Sequence, residues 1–188
     1  MNRSASIMEF LHVLERLKCN TRHCDTTNGR RESVADHIAR AATLAMLLRG
    51  DFPEIDTDRV IRLLLVHDFG EAVTGDVPCF DKTEQDEQKE ARAWYAMTEC
   101  LPSDIREDIL CHLTEFEDQK TPEARLARAI DKIEGVIQHN ESDLRTWLPL
   151  ERELNLVYGK AECAPFPPMQ ALRDEAIRET EAKLAREG

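Results

Sequence analysis

The apolar run VIRLLLV at residues 60–66 ends in His67 and Asp68, with Glu71 three residues further on. Imidazoles and carboxylates are costly to bury unless they are paired or bound to a metal. A run that is hydrophobic nearly all round belongs to a buried helix. His67 and Asp68 therefore enter the interior as a pair that something else must satisfy. Two other stretches offer partners. His37 sits on the inner face of VADHIARAATLAML, and Asp131 interrupts RLARAIDKIEGVI between Ile130 and Ile133. Gly135, four residues after Asp131, shares its helical face and leaves room for close approach. Two neutral imidazoles and two carboxylates form a mixed nitrogen–oxygen set. That set suits Mn, Fe, Co, Ni or Zn and leaves positions open for water and substrate. Taken singly, a histidine such as His37 on a helical stripe is more often a hydrogen-bonded core residue, and Asp131 can pair with Arg125 or Arg128. Taken together, one divalent transition metal satisfies all four.

The elements that must position these residues are helices, because helical periodicity recurs along the chain and strand alternation does not. Ile7, Leu11, Val13, Leu14 and Leu17 mark a first amphipathic helix, and the polar stretch CNTRHCDTTNGR after it is expected to be a loop. Ser33 with Asp36 predicts a capped start for a second helix reaching about Arg49. Its inward stripe is Val34, His37, Ile38, Ala41, Ala45 and Leu48. Asp56 to Asp58 cap a third helix ending near His67 and Asp68, and TGDVP is a turn. Residues 83–100 are highly charged with a weak inner face (Ala91, Trp94, Tyr95, Met97), so that helix is expected at the periphery. Pro102 and Ser103 open another, through Phe116. Thr121 and Pro122 supply an N-cap and a first-turn proline for a helix to about Gln138, with Leu126, Ile130, Ile133 and Ile137 inward. PFPP precedes a last charged helix at about 169–187. No repeat or linker divides the chain. The expectation is an all-α fold, one domain over 1–188.

The 188 residues suffice for one sizeable core. Lys and Arg number 25 against 37 Asp and Glu, a formal charge of −12. Such a surface repels polymeric nucleic acid and anionic membranes, and neither is an expected partner. A small anionic substrate fits only where cations are gathered locally. No run approaches the ~20 apolar residues of a membrane helix, and the first residues lack a signal-peptide core. A cytoplasmic location is expected, with the six singly spread cysteines reduced. Cys19 and Cys24 flank His23, but no second ligand pair follows at a zinc-finger spacing.

The order H…HD…D resembles the signature of the HD superfamily of metal-dependent phosphohydrolases, and within it the 5′-deoxynucleotidase branch. The stretches carrying the likeness are LKCNTR (17–22), RRESVADH (30–37), LLLVHDFGEAVTGDVP (63–78) and ARAIDKIEG (127–135). HDxxE followed by TGDVP, with ESVADH upstream, is far more specific than His-Asp alone. The resemblance implies an HD-domain helical bundle with its metal site between helices, in a core of about residues 20–140. It implies His37, His67, Asp68 and Asp131 as metal ligands. It also implies that Glu71 handles the attacking water, Arg22 holds the phosphate and Asp76 contacts the sugar's 3′ side. Elementary chemistry agrees on two of these. A glutamate three residues after a ligand faces the same site, and a guanidinium matches phosphate oxygens bidentately.

Two positions depart from the family pattern. An aromatic residue often follows the arginine, where this chain has His23. A proline often precedes Glu32, where this chain has Arg31. The first puts deoxyribose selectivity in question. Together they add His23 and Arg31 as expected cations for the substrate, which opens substrates with more phosphates. The family commonly forms dimers, so a homodimer is expected. The expected activity is metal-dependent hydrolysis of (deoxy)nucleoside 5′-monophosphates to nucleoside and phosphate. The alternatives are a nucleoside di- or triphosphate or specialised biosynthetic phosphohydrolase, and a metal-stabilised binding module without turnover. Glu71 and Arg22 weigh against the module, since metal binding requires neither. His12, His112 and His139 have no partner in the motif and are expected to be structural or exposed.

Overall fold

The computed structural model describes residues 2–187. Its first half runs α1 (Arg3–Leu14), β1 (Thr21–Asp25), β2 (Arg31–Ser33), α2 (Val34–Leu47), α3 (Thr57–Val66) and α4 (Glu71–Thr74). Its second half runs α5 (Glu84–Thr98), α6 (Ser103–Asp118), α7 (Pro122–Glu141), α8 (Pro149–Val157), α9 (Lys160–Cys163) and α10 (Pro167–Glu187). The fold is all-α apart from the β1–β2 hairpin. No helix among the described residues is long and apolar enough to cross a membrane.

Three helices carry the ligand-type residues or, for His67 and Asp68, end just before them, and local chemistry sets where each one starts. Ser33 accepts the Asp36 amide while the Asp36 carboxylate accepts the Ser33 amide, a reciprocal cap that begins α2. His37 then falls one turn in. Asp56 caps α3 by accepting from the Arg59 amide at 3.1 Å, and Thr121 caps α7 with Pro122 in its first turn. Leu63 and Leu64 of α3 and Leu126, Ile130 and Ile133 of α7 are fully buried with Ala41 and Ala45 of α2. Burying each leucine or isoleucine contributes about 1.5–3 kcal/mol. A second apolar cluster forms on the other side of α2 around Val34, Ile38, Phe10, Leu17 and Met97. His37 therefore lies on a helix held from both sides.

The stretch expected as a loop contains a hairpin instead. β1 and β2 pair antiparallel, Thr21 opposite Ser33 and Asp25 opposite Arg31, with an irregularity between. Gly29 turns the chain at φ +80°, which a side chain rarely adopts. Asn28-Gly29 is a hairpin signal, but the strands are short and polar and show no alternation. Tertiary support makes up for this, since Glu32 and Ser33 of β2 are buried.

Helix α5, expected at the periphery, docks through Glu90, Ala93, Trp94 and Met97 and turns Tyr95 outward. Its approach depends on Gly70, where a Cβ would meet Glu90 Cγ at 2.5 Å and Trp94 Nε1 at 2.7 Å. Helix α10 buries Met169, Arg173, Ala176 and Thr180. Arg173 donates to the Leu156 carbonyl at 2.7 Å, and Asn155 donates to Thr180 Oγ1 at 3.0 Å. Polar anchors of this kind leave no hydrophobic stripe to read.

Candidate metal and phosphate site

His37 is fully buried, and its Nδ1 is hydrogen-bonded to Glu134 of α7. Arg40 Nε pairs with the other Glu134 oxygen at 2.9 Å, so the carboxylate that orients the ring is itself held. The His67 Nδ1–H donates to the Leu64 carbonyl at 2.8 Å, one turn back on α3. Both rings thereby turn Nε2 into one space. His37 Nε2 lies 3.2 Å from Asp131 Oδ1 and 3.7 Å from Asp68 Oδ2. His67 Nε2 lies 3.2 Å from Asp68 Oδ2 and 3.7 Å from Asp131 Oδ1. His67 Nε2 is buried and has no hydrogen-bond partner among the described residues. Two imidazole lone pairs and two carboxylates converge on one point, which fits a divalent cation with mixed nitrogen and oxygen ligation. Burial opposes a charged His67, yet Asp68 and Asp131 outweigh it and raise its pKa to about 10.

The neighbouring groups carry reactivity. Glu71 opens α4, and its Oε2 is buried without a hydrogen-bond partner among the described residues. Burial, then the carboxylates of Asp68, Asp76 and Glu90, push its pKa well above the usual carboxylate value. The Asn20 side chain donates to its backbone carbonyl and ties the α4 start to the chain before β1. Arg22 reaches in from β1 with Nε 3.2 Å from Glu32 Oε2. Burial opposes its charge, but Glu134, Glu32, Asp68 and Asp131 surround the guanidinium and hold its pKa above the ordinary value.

One cavity brings together His67, Asp68, Asp131, Glu71, Arg22 and Asp76, with His23 further along the wall. Arg31 is not there. It is half exposed on the hairpin, with Nε 3.4 Å from Asp25 Oδ1. His23 faces Glu151 at 3.4 Å. His139, expected to be structural or exposed, also lines this cavity, as do Lys82, Arg128 and Lys132. Arg128 pairs with Glu117 at 3.1 Å rather than with Asp131. Cys24 donates to Glu32 at 3.1 Å and Cys19 is exposed, so the two do not join His23 in a cluster. The sequence reading missed Glu134. A signal was present, since Glu134 shares the buried face of α7 with Leu126, Ile130 and Ile133.

A helical bundle that aims two imidazoles and two carboxylates at one point, beside a buried guanidinium and a carboxylate with an unpartnered oxygen, defines a metal-dependent phosphohydrolase. The chain belongs to the HD domain family, which it matches over residues 14–170. The human protein named 5′-deoxynucleotidase HDDC2 is 33% identical over 140 residues, 72% of this chain and 68% of its own. The Schizosaccharomyces pombe 5′-deoxynucleotidase hdd1 is 29% identical over 187 residues, 95% of this chain and 92% of its own. A solved structure of a predicted metal-dependent phosphohydrolase from Magnetospirillum magnetotacticum superposes with a TM-score of 0.75 at 30% identity. It covers 95% of this chain and 97% of that one.

Proposed function

We propose that this protein hydrolyses deoxynucleoside 5′-monophosphates to nucleoside and phosphate. Nε2 of His37 and His67 and the carboxylates of Asp68 and Asp131 would hold one divalent transition metal. The observation that carries this reading is the grouping in one cavity of His67, Asp68 and Asp131, with His37 Nε2 behind them, the unpartnered Glu71 oxygen, and the Arg22 guanidinium among acidic neighbours. When bound, the ion supplies Lewis acidity and lowers the pKa of a water from about 15.7 towards ~7. The rest falls to the side chains. Glu71, made more basic by burial and by its carboxylate neighbours, orients the water and accepts its proton. Arg22 offsets charge on the phosphoryl oxygens. Asp76 accepts from the sugar's 3′-hydroxyl.

A monophosphate is favoured over a di- or triphosphate because Arg31, one of the two expected extra cations, lies outside the cavity. Arg31 pairs with Asp25, and Lys82, Arg128 and Lys132 are already engaged by Glu90, Glu117 and Asp131. The test is a phosphate-release screen of nucleoside mono-, di- and triphosphates, ribo and deoxy, with Mn, Co, Ni, Zn and Fe. Release from deoxynucleoside monophosphates is expected. No release from any nucleotide with any metal would overturn the reading and leave a binding module.

Metal removal should show in stability, with a definite sign. The raised His67 pKa stabilises the metal-free fold below its ordinary 6.5, and that contribution is lost as pH rises from 6.5 to about 10. Coordination needs the deprotonated ring and strengthens over the same window. The Tm gap between metal-loaded and chelator-treated protein should therefore widen as pH rises, and Asp68→Ala should close it. A gap independent of pH, or metal retained in full by Asp68→Ala, would sink the ligand assignment.

The same proposal includes a cytoplasmic homodimer. The six free cysteines agree with a reducing compartment. Exposed Met46, Leu47, Leu148, Leu150 and Val157 supply apolar surface for a second copy. A monomer mass by light scattering at micromolar concentration would refute the dimer.

A further inference from the structure

The cavity continues past the ligand set, and its far end is built from groups that phosphate chemistry does not use. Asp131, Gly135 and His139 follow one another at four-residue steps along one stripe of α7. At the rise of an α-helix, His139 lies about 12 Å beyond Asp131. Gly135 leaves the middle of the stripe bare, and the nearest atom to a Cβ there would be Arg22 Nη2 at 3.6 Å. The cavity floor thus runs from carboxylate, under a guanidinium, to imidazole. That is the order and scale of a nucleotide from its phosphate to the edge of its base.

At this far end stands Glu151, a carboxylate only 2% exposed. One of its oxygens accepts the Leu148 amide at 2.6 Å and caps α8. The other lies 3.4 Å from His23 Nε2 and 3.5 Å from His139 Nε2. The cap needs one oxygen and does not account for the second, which sits between two imidazoles at the cavity wall. His139 stacks on Trp147 with ring centroids 4.7 Å apart, which fixes its plane. Burial lowers the His139 pKa in spite of Glu151, which favours the neutral ring with one donor and one acceptor. His23 Nε2 is buried and has no hydrogen-bond partner among the described residues. Phe80 stands edge-on to His23 at 5.8 Å and offers an apolar ring beside these polar groups.

Resting on the nucleotidase reading above, we propose that this end of the cavity is a nucleobase subsite in which Glu151 selects guanine. A carboxylate only accepts, so the base that satisfies it must present donors. Guanine places a ring N–H and an exocyclic amino group side by side, and both can donate to the one Glu151 oxygen that the α8 cap leaves free. Its neighbouring carbonyl takes an imidazole N–H. Adenine and cytosine present one amino group beside an acceptor, which faces the carboxylate unfavourably. Phe80 supplies a surface on which a base stacks.

The test compares kcat/KM of the metal-loaded enzyme for the deoxynucleoside 5′-monophosphates of guanine, adenine, cytosine, thymine and hypoxanthine. Hypoxanthine differs from guanine only in lacking the amino group. Loss of a hydrogen bond to a charged group predicts a deoxyguanosine preference over deoxyinosine of about 10- to 100-fold. Glu151→Gln should narrow that gap. Equal values for the two in wild type, or a preference for another base, would overturn the assignment. The wild-type comparison needs no substitution, so misfolding of the α8 cap variant does not obscure it. Calorimetry with phosphate-free deoxyguanosine and deoxyinosine separates the two readings. Tighter deoxyguanosine binding supports the subsite even without turnover, and equal binding removes it while the phosphate-release screen decides the nucleotidase reading.

Discussion

Glutamine in place of Glu71 is expected to lower turnover by about 10²–10⁴-fold, the range of a lost general acid–base contribution. Metal content and nucleotide affinity should stay near wild type. Glu71 clusters with Asp68 and Glu90 rather than with His37, His67 and Asp131, and its Oε2 has no hydrogen-bond partner among the described residues. Burial and three neighbouring carboxylates raise its proton affinity, which suits a base rather than a structural ion-pair partner. Glutamine keeps the shape and removes the proton acceptor, so Gly70 and α5 stay packed. Measuring kcat, KM and bound metal on the same preparation checks this. Near-normal kcat would show that the mechanism is wrong and that another carboxylate, such as Asp76, serves the water.

The second large effect is at Arg22. Arg22→Ala should raise KM by about 10- to 100-fold, the worth of a charged hydrogen bond to phosphate, and lower kcat as well. A phosphate clamp acts in both the ground state and the transition state. Arg22→Lys should recover only part of either loss, because one ammonium cannot reproduce a bidentate fork. The alanine variant carries a second consequence. Glu32 and Glu134 are buried carboxylates near the guanidinium, and breaking a buried pair costs about 3–5 kcal/mol. Thermal unfolding measured beside the kinetics separates the two effects. If Arg22→Lys restores stability and full activity together, Arg22 acts as a buried counter-charge and not as the phosphate contact.

The sequence by itself marked the longer helices and four residues of ligand type. Caps at Ser33, Asp56 and Thr121 and the apolar stripes around His37 and Asp131 are local patterns, set by backbone hydrogen bonding and the 3.6-residue period. Those patterns already placed four ligand-type side chains on inner faces, and the helices deliver them to one point. Tertiary structure decided the surroundings. The hairpin formed where polar residues gave no alternation, because burial of Glu32 and Ser33 against the bundle supports strands too short to stand alone. That hairpin brings Arg22 over Gly135 and turns Arg31 away, a difference of strand face that no residue type announces. Glu134 orients His37 across 97 residues, and Glu151 meets His23 and His139 from a third element. Contacts of that range depend on how helices pack and which turn faces which. The period of a single helix carries no such information.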